Sequence, residues 1–339
     1  MRHDRWVTDT NEPVTALRPA VQDSILAWYT GASRDLPFRA TRDPYAILVS
    51  ETMAQQTQAA RAGEAWTGFM ATWPTPAALA TATPAEVLRA WQGLGYNRRA
   101  LNLWRAAGRI VEAHGGEVPS DLRALEALPG VGPYTARAVA ALAFGIPVGA
   151  VDTNVRRVLG RIVAGHGTAM GASETQRIAD AAVPRDRPGA WTHALMDLGA
   201  TICRPRNPDC GLCPAQAWCQ YAAAGDRRTE PAPRHPAARP RTAGRATVPF
   251  PATSRWLRGR IVDRLREAEG DGWMSIQGPI GSHGQAAVAA AMRALAQDGI
   301  VELDGGASGD AHGSAGHAGD PVGHADGPTL VWRARLPTS

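Results

Sequence analysis

The sequence predicts an all-α protein that ends in a small α+β module. Three observations carry that prediction. Residues 21 to about 200 hold short helical stripes punctuated by capping residues, with no run of alternating apolar and polar residues among them. From about Ala222 to Ser254 the chain turns Pro-, Ala- and Arg-rich and has almost nothing to bury. Beyond that break, two further helical stripes precede two short apolar runs, Ile300–Leu303 and Leu330–Leu336, which suit a hairpin.

Asp43-Pro44 supplies an N-cap followed by proline at the first helical position, opening a helix through Met53. Thr83-Pro84 repeats the device before Ala85–Trp91. Arg98–His114 carries Leu101, Trp104 and Ile110 at near-helical spacing, and a short helix follows over Leu122–Ala127. Asp152 precedes Val155, Val158, Leu159, Ile162 and Val163, a continuous stripe with Arg156, Arg157 and Arg161 outside it. The segment 222–253, with Arg227, Arg228, Arg234, Arg239, Arg241 and Arg245, reads as a flexible basic linker. Leu257, Ile261, Val262 and Leu265 then mark one helix, and Val288, Met292 and Leu295 another. With the hairpin they predict a winged-helix-like module over 254–339. Its loop 305–327 is of low complexity, and the irregular spacing of His312, His317 and His324 favours solvated filler over a metal site.

Composition narrows the function. At 339 residues the chain is long enough for two or three domains. No stretch approaches a membrane span, and the start Met1-Arg2-His3-Asp4 lacks the apolar core of a signal peptide, so the expectation is a soluble, cytoplasmic protein. The net charge of +5 favours an anionic partner, of which nucleic acid is the commonest. All 36 Lys+Arg residues are arginine, so no lysine amine is present to form a Schiff base.

Four cysteines, Cys203, Cys210, Cys213 and Cys219, crowd into one short loop. Only Cys210/Cys213 fits the knuckle spacing of a zinc module, whereas four thiolates in one tight loop suit a 4Fe-4S cluster, a group that tolerates many spacings. A second motif is Leu128-Pro129-Gly130-Val131-Gly132-Pro133-Tyr134-Thr135-Ala136. Gly130 and Gly132 permit backbone geometry and close approach that other residues block. Pro133 at a helix start leaves amide N–H groups free for a phosphate. The third is Ile47-Leu48-Val49-Ser50-Glu51-Thr52-Met53-Ala54-Gln55-Gln56-Thr57, where Glu51 follows directly on an apolar run. A carboxyl in such surroundings has the raised pKa that a general acid needs near neutral pH. Asp152, in Val151-Asp152-Thr153-Asn154-Val155-Arg156-Arg157, is on local grounds a good N-cap and nothing more.

Taken together, the cysteine spacing, the hairpin and both carboxylate segments closely resemble those of the A/G-specific adenine DNA glycosylases, the MutY family of the endonuclease III superfamily. The resemblance covers residues 20 to 221, with the motifs in family order. It implies a helix-hairpin-helix glycosylase fold: an iron–sulfur cluster domain from 1–43 with 146–221, and a six-helix barrel domain over 44–145. It implies that Glu51 is the acid/base that protonates the flipped adenine. Asp152 would stabilise the cationic sugar, or bond to it covalently, while Tyr134 and Asn154 organise the pair. Arg39, in Leu36-Pro37-Phe38-Arg39, would contact adenine; Gln56 would fill the gap left by base flipping; Tyr96, in Gly93-Leu94-Gly95-Tyr96, would intercalate. Arg204 and Arg206 would meet DNA phosphates, and the four cysteines would hold the cluster in a structural role. The expected partner is double-stranded DNA with a mismatched or oxidatively damaged base pair, met by a monomer. Lysine-dependent relatives place their Schiff-base residue where Tyr134 stands, so base removal without lyase chemistry is expected.

The chain also departs from the family. Phe38 replaces a more usual Trp, Ala54 stands where a bulky apolar residue is common, and 254–339 does not resemble the larger α/β domain that reads 8-oxoguanine in many members. Two rival readings follow: the same mechanism on hypoxanthine or mismatched thymine, or a non-enzymatic iron–sulfur DNA-binding regulator.

Overall fold

The computed structural model describes residues 17, 19–165, 170–224, 248–268, 272–304 and 331–339. The linker residues 225–247 and the loop 305–327, with His312, His317 and His324, lie outside the described residues. No described helix is long and apolar enough to cross a membrane. The chain divides into two compact units, Met1–Met70 with Ala113–Pro240 and Ala71–Glu112 with Arg241–Ser339.

The first unit is helical. Its elements are α1 (Pro19–Ala32), α2 (Pro44–Ala54), most of α3 (Ala59–Thr72), α7 (Leu122–Glu126), α8 (Pro133–Ala143), α9 (Thr153–Ala164), α10 (Ala172–Ala181), α11 (Pro188–Thr201) and α12 (Gln220–Ala223). α2 is capped as expected: Asp43 accepts from the Tyr45 amide and Pro44 opens the helix. Every residue from Tyr45 to Met53 is buried, so α2 has no solvent face. It packs on α8, which in turn packs on α11, and α11 contacts α1 and α9. Asp152 caps α9 through a bond from the Val155 amide, and Gly165 ends that helix with a left-handed φ of 74°.

Burial on α9 extends beyond its apolar stripe. Arg157 and Arg161 lie outside the apolar stripe yet are only 6% and 4% exposed. Backbone carbonyls take their donors. Arg157 donates to the carbonyls of Cys203 and Gly199, each at 2.7 Å, and Arg161 to those of Arg204 and Pro205 at 2.7 and 3.1 Å. These bonds make burial tolerable where a lone charge would not be, although Nε of Arg161 is buried without a partner.

The second unit begins with α4 (Pro76–Ala80), α5 (Pro84–Ala90) and α6 (Arg98–His114). Thr83 and Glu86 form a reciprocal capping box at the start of α5. The unit closes with α13 (Ser254–Arg266), β1 (Met274–Ile276), α14 (Gln285–Gln297), β2 (Glu302–Leu303) and β3 (Trp332–Arg335). The strands form one antiparallel sheet of order β1-β3-β2, with Ile276 opposite Trp332 and Leu303 opposite Ala334. Leu257, Ile261 and Leu265 of α13 are buried, as are Val288, Met292 and Leu295 of α14, with Ile276 and Ala334 buried on the sheet. Helix, strand, helix and hairpin in this order make the winged-helix-like module expected from the sequence. Strand β1, too short to read in the sequence, completes its sheet.

Candidate active site

Glu51 lies in the last full turn of buried α2, where α8 covers it. Its Oε2 accepts a 2.8 Å hydrogen bond from the Tyr134 hydroxyl of α8, which also contacts Sδ of Met196 at 3.9 Å. Burial pushes the Glu51 carboxyl up to about 7; the Tyr134 bond pulls it down, and the nearby charge of Asp152 pushes it up again. The Tyr134 hydroxyl is held well above its ordinary range by burial and the two carboxylates. Such a Glu51 keeps a substantial protonated fraction near neutral pH, and Tyr134 stays a donor.

The Asp152 cap is a double one. Oδ1 accepts from the Val155 amide at 2.7 Å and Oδ2 from Nδ2 of Asn154 at 2.9 Å. Asn154 in turn accepts from Nη2 of Arg157 at 2.9 Å. The structure therefore gathers Glu51, Tyr134, Asp152 and Asn154 into one site on the starts of α8 and α9 and the end of α2.

Arg39 closes a 3-10 turn, Pro37–Arg39, and its guanidinium is clamped rather than free. Nη1 and Nη2 donate to both carboxylate oxygens of Asp197 at 2.6 and 2.7 Å, Nη1 also donates to the Tyr29 hydroxyl at 3.1 Å, and Nε is buried without a partner. Asp197, fully buried on α11, also accepts from Nε of Arg34 at 2.6 Å. Burial alone would raise this carboxyl; the bonds from Arg39 and Arg34 outweigh it and hold Asp197 below the usual carboxylate range. Beside it, burial and the Arg39 charge drive His193 down to about 3, so its ring is neutral. Asp197 and His193 were not singled out in the sequence. The available signal was the one that marked Glu51: an acid inside an apolar helical run, here Ala194–Gly199.

The remaining candidates divide. Gly130 takes a left-handed φ of 78° in the turn between α7 and α8, and Gly132 is the N-cap of α8, with no side chain capping that helix. Gln56 is exposed just past α2, with a positive φ of 55°. Tyr96 belongs to the other unit, where it too has a positive φ, of 46°. Arg204 is tied into its own loop, donating to Asp209 at 2.8 Å and the Asn207 carbonyl at 3.1 Å. Arg206 is exposed and has no hydrogen-bond partner among the described residues.

Cys203, Cys210, Cys213 and Cys219 are all unpaired and line one cavity with Val158, Arg161 and Leu198. Arg161 donates to Sγ of Cys203 at 3.5 Å, and burial pushes the Cys213 thiol up to about 12. Three half-buried thiols and one buried thiol, Cys219, beside a buried guanidinium fit a group that takes thiolates as ligands. No three His, Cys, Asp or Glu among the described residues are grouped to hold a single metal ion.

A buried, proton-poised carboxylate packed against the helix of a helix-hairpin-helix defines a class, the base-excising DNA glycosylases. Residues 49–185 match the family described as HhH-GPD superfamily base excision DNA repair protein. Over 260 residues the chain is 46% identical to the adenine DNA glycosylase of Mycobacterium tuberculosis, covering 76% of this chain and 82% of that relative. The chain belongs to the adenine DNA glycosylase (MutY) family. Among solved structures, a thermostable thymine-DNA glycosylase matches with a TM-score of 0.57 and 32% identity, covering 60% of this chain and 95% of that one. Endonuclease III, in a trapped covalent intermediate with DNA, matches with a TM-score of 0.53 and 25% identity over 60% of this chain and 94% of its own.

Proposed function

We propose that this chain hydrolyses the N-glycosidic bond of adenine mispaired with 8-oxoguanine or guanine in double-stranded DNA, without lyase chemistry. The observation that carries the reading is Glu51, a carboxyl buried against α8, bonded to Tyr134 and raised to about 7. Adenine leaves poorly unless a ring nitrogen is protonated, and cleavage passes through an oxocarbenium-like state. Glu51 gives its proton to N7 of the extruded base and afterwards takes one from the attacking water. Tyr134 occupies Oε2, which leaves Oε1 for that exchange. Asp152, its two oxygens oriented by Val155 and Asn154, faces the positive sugar. Arg39, ordered by Asp197, offers the base an N–H that the clamp leaves free.

The four cysteines hold a 4Fe-4S cluster, which when bound cross-links the 203–219 loop. Arg161 supports the ligands by donating to Cys203. Arg206, without a hydrogen-bond partner among the described residues, and the uncapped start of α8 meet the DNA phosphates.

The test is single-turnover base release from duplexes carrying adenine opposite 8-oxoguanine, guanine, cytosine or thymine, with hypoxanthine and G·T duplexes alongside. Alkali-dependent cleavage at adenine opposite 8-oxoguanine or guanine, lost in Glu51→Gln, supports the reading. Cleavage at hypoxanthine or thymine alone would keep the mechanism and replace the substrate. No release from any duplex by cluster-loaded protein would leave a DNA-binding regulator.

A further inference from the structure

Tyr96, in the turn between α5 and α6, is one of three non-glycine residues with positive φ among the described residues. The residue is also 42% exposed. The turn is firmly held. Trp91 Nε1 donates to the Gly95 carbonyl at 3.1 Å, and Arg99 Nη2 donates to the Leu94 and Gly95 carbonyls at 2.9 and 3.1 Å. A large aromatic held in a strained conformation without being buried is displayed for an outside contact, not for packing.

The C-terminal helix supplies that ring with a partner. The Arg255 guanidinium of α13 lies 4.2 Å from the centre of the Tyr96 ring. Arg255 is exposed and makes no hydrogen bond or ion pair among the described residues. A guanidinium stacked on a ring keeps its in-plane N–H donors available, in the planar array that matches a phosphate. The other end of α13 is anchored to the same segment. Arg266 donates from Nε to the Leu88 carbonyl and from Nη2 to Oδ1 of Asn97, each at 2.9 Å, and Arg258 and Arg98 both pair with Asp298. These bonds hold α13 against the segment that carries Tyr96.

We propose that α13 and the turn 93–97 form one duplex-DNA contact surface, in which Arg255, pre-ordered by Tyr96, grips a backbone phosphate beside the exposed ring. The C-terminal module is then a DNA-binding element of the enzyme. A displayed ring and an unpaired guanidinium suit a partner that offers both phosphates and flat bases. The proposal rests on the reading above that the chain acts on DNA, but its test needs no base release.

The test is equilibrium binding of the full-length, cluster-loaded protein to an undamaged duplex across a series of salt concentrations. Arg255→Ala is expected to weaken binding by about 3- to 10-fold and to reduce the slope of log affinity against log salt by about one unit. Arg264→Ala is the control. It removes the same charge from an exposed position nine residues along α13, about half a turn away around the helix, and is expected to leave the slope nearly unchanged. Arg255→Lys, which keeps the charge without the planar fork, is expected to recover only part of the loss. An Arg255→Ala slope equal to that of the wild type, or equal losses in the two alanine variants, overturns the proposal. Failure to release adenine would overturn the glycosylase reading and leave this binding result standing.

Discussion

The Tyr134 hydroxyl donates a 2.8 Å hydrogen bond to Oε2 of Glu51, joining α8 to α2 where a carboxylate interrupts the buried length of α2. The bond opposes a larger effect, desolvation, which lifts Glu51 from 4.5 to about 7. The folded-state value is raised, so the native chain favours the protonated acid. Stability from this group is complete below about pH 4.5 and is lost as pH rises to about 7. Glu51→Gln removes that loss. At pH 8 the variant is expected to be more stable than the wild type by on the order of 2 kcal/mol, with the two converging near pH 4. Thermal unfolding at both pH values checks this, and a variant less stable at pH 8 would contradict it.

Gly199 lies where α11 crosses the start of α9. A Cβ added there would stand 2.6 Å from Cβ of Asn154 and 3.2 Å from its Cα. Gly199→Ala must therefore displace Asn154, the residue that donates to Asp152, at a cost of about 1–3 kcal/mol, and is expected to slow base release at saturating enzyme. Gly31→Ala, where a Cβ meets nothing within 4 Å, is the matched control and should unfold at or above the wild-type denaturant midpoint.

Asp197 is fully buried between two arginines. Asp197→Asn leaves both guanidinium groups facing a neutral amide, and loss of one partner from a buried pair costs about 3–5 kcal/mol. A loss of unfolding free energy of that size is expected, together with weaker discrimination between adenine and hypoxanthine as Arg39 loses its clamp. Urea unfolding and the duplex panel measure the two effects separately.

Cys213→Ser removes one donor from the thiol cavity. Iron and acid-labile sulfide per chain should fall well below four, with a drop in melting temperature. The loss should exceed that in Arg206→Ala, which alters the same loop without touching the cavity. Full cluster content in the serine variant would contradict the ligand set.

Much of this was legible in the sequence because local chemistry signalled it. The Asp43-Pro44 and Thr83-Pro84 caps, the hairpin glycines and the stripe on α9 each follow from short-range rules, and each appears as an element. What was not legible depended on partners far along the chain. Arg157 and Arg161 lie off the apolar stripe, yet carbonyls some forty residues away bury them, as the residue separations of their bonds show. Asp197 gains its meaning only from Arg34 and Arg39 on the opposite side of the sequence. The three-residue β1 carried too few side chains for a period to show, and the pairing of Arg255 with Tyr96 joins segments separated by the linker.

The most direct test of the account is the pH dependence of single-turnover adenine release, at saturating enzyme, for the wild type and Tyr134→Phe. The general acid is active only when protonated, so the wild-type rate should fall as pH rises through about 7. Loss of the Tyr134 bond, which lowers Glu51, should move that fall to higher pH. A rate flat from pH 6 to 9, or a midpoint unmoved in Tyr134→Phe, would contradict the assignment of Glu51 as the acid held by Tyr134.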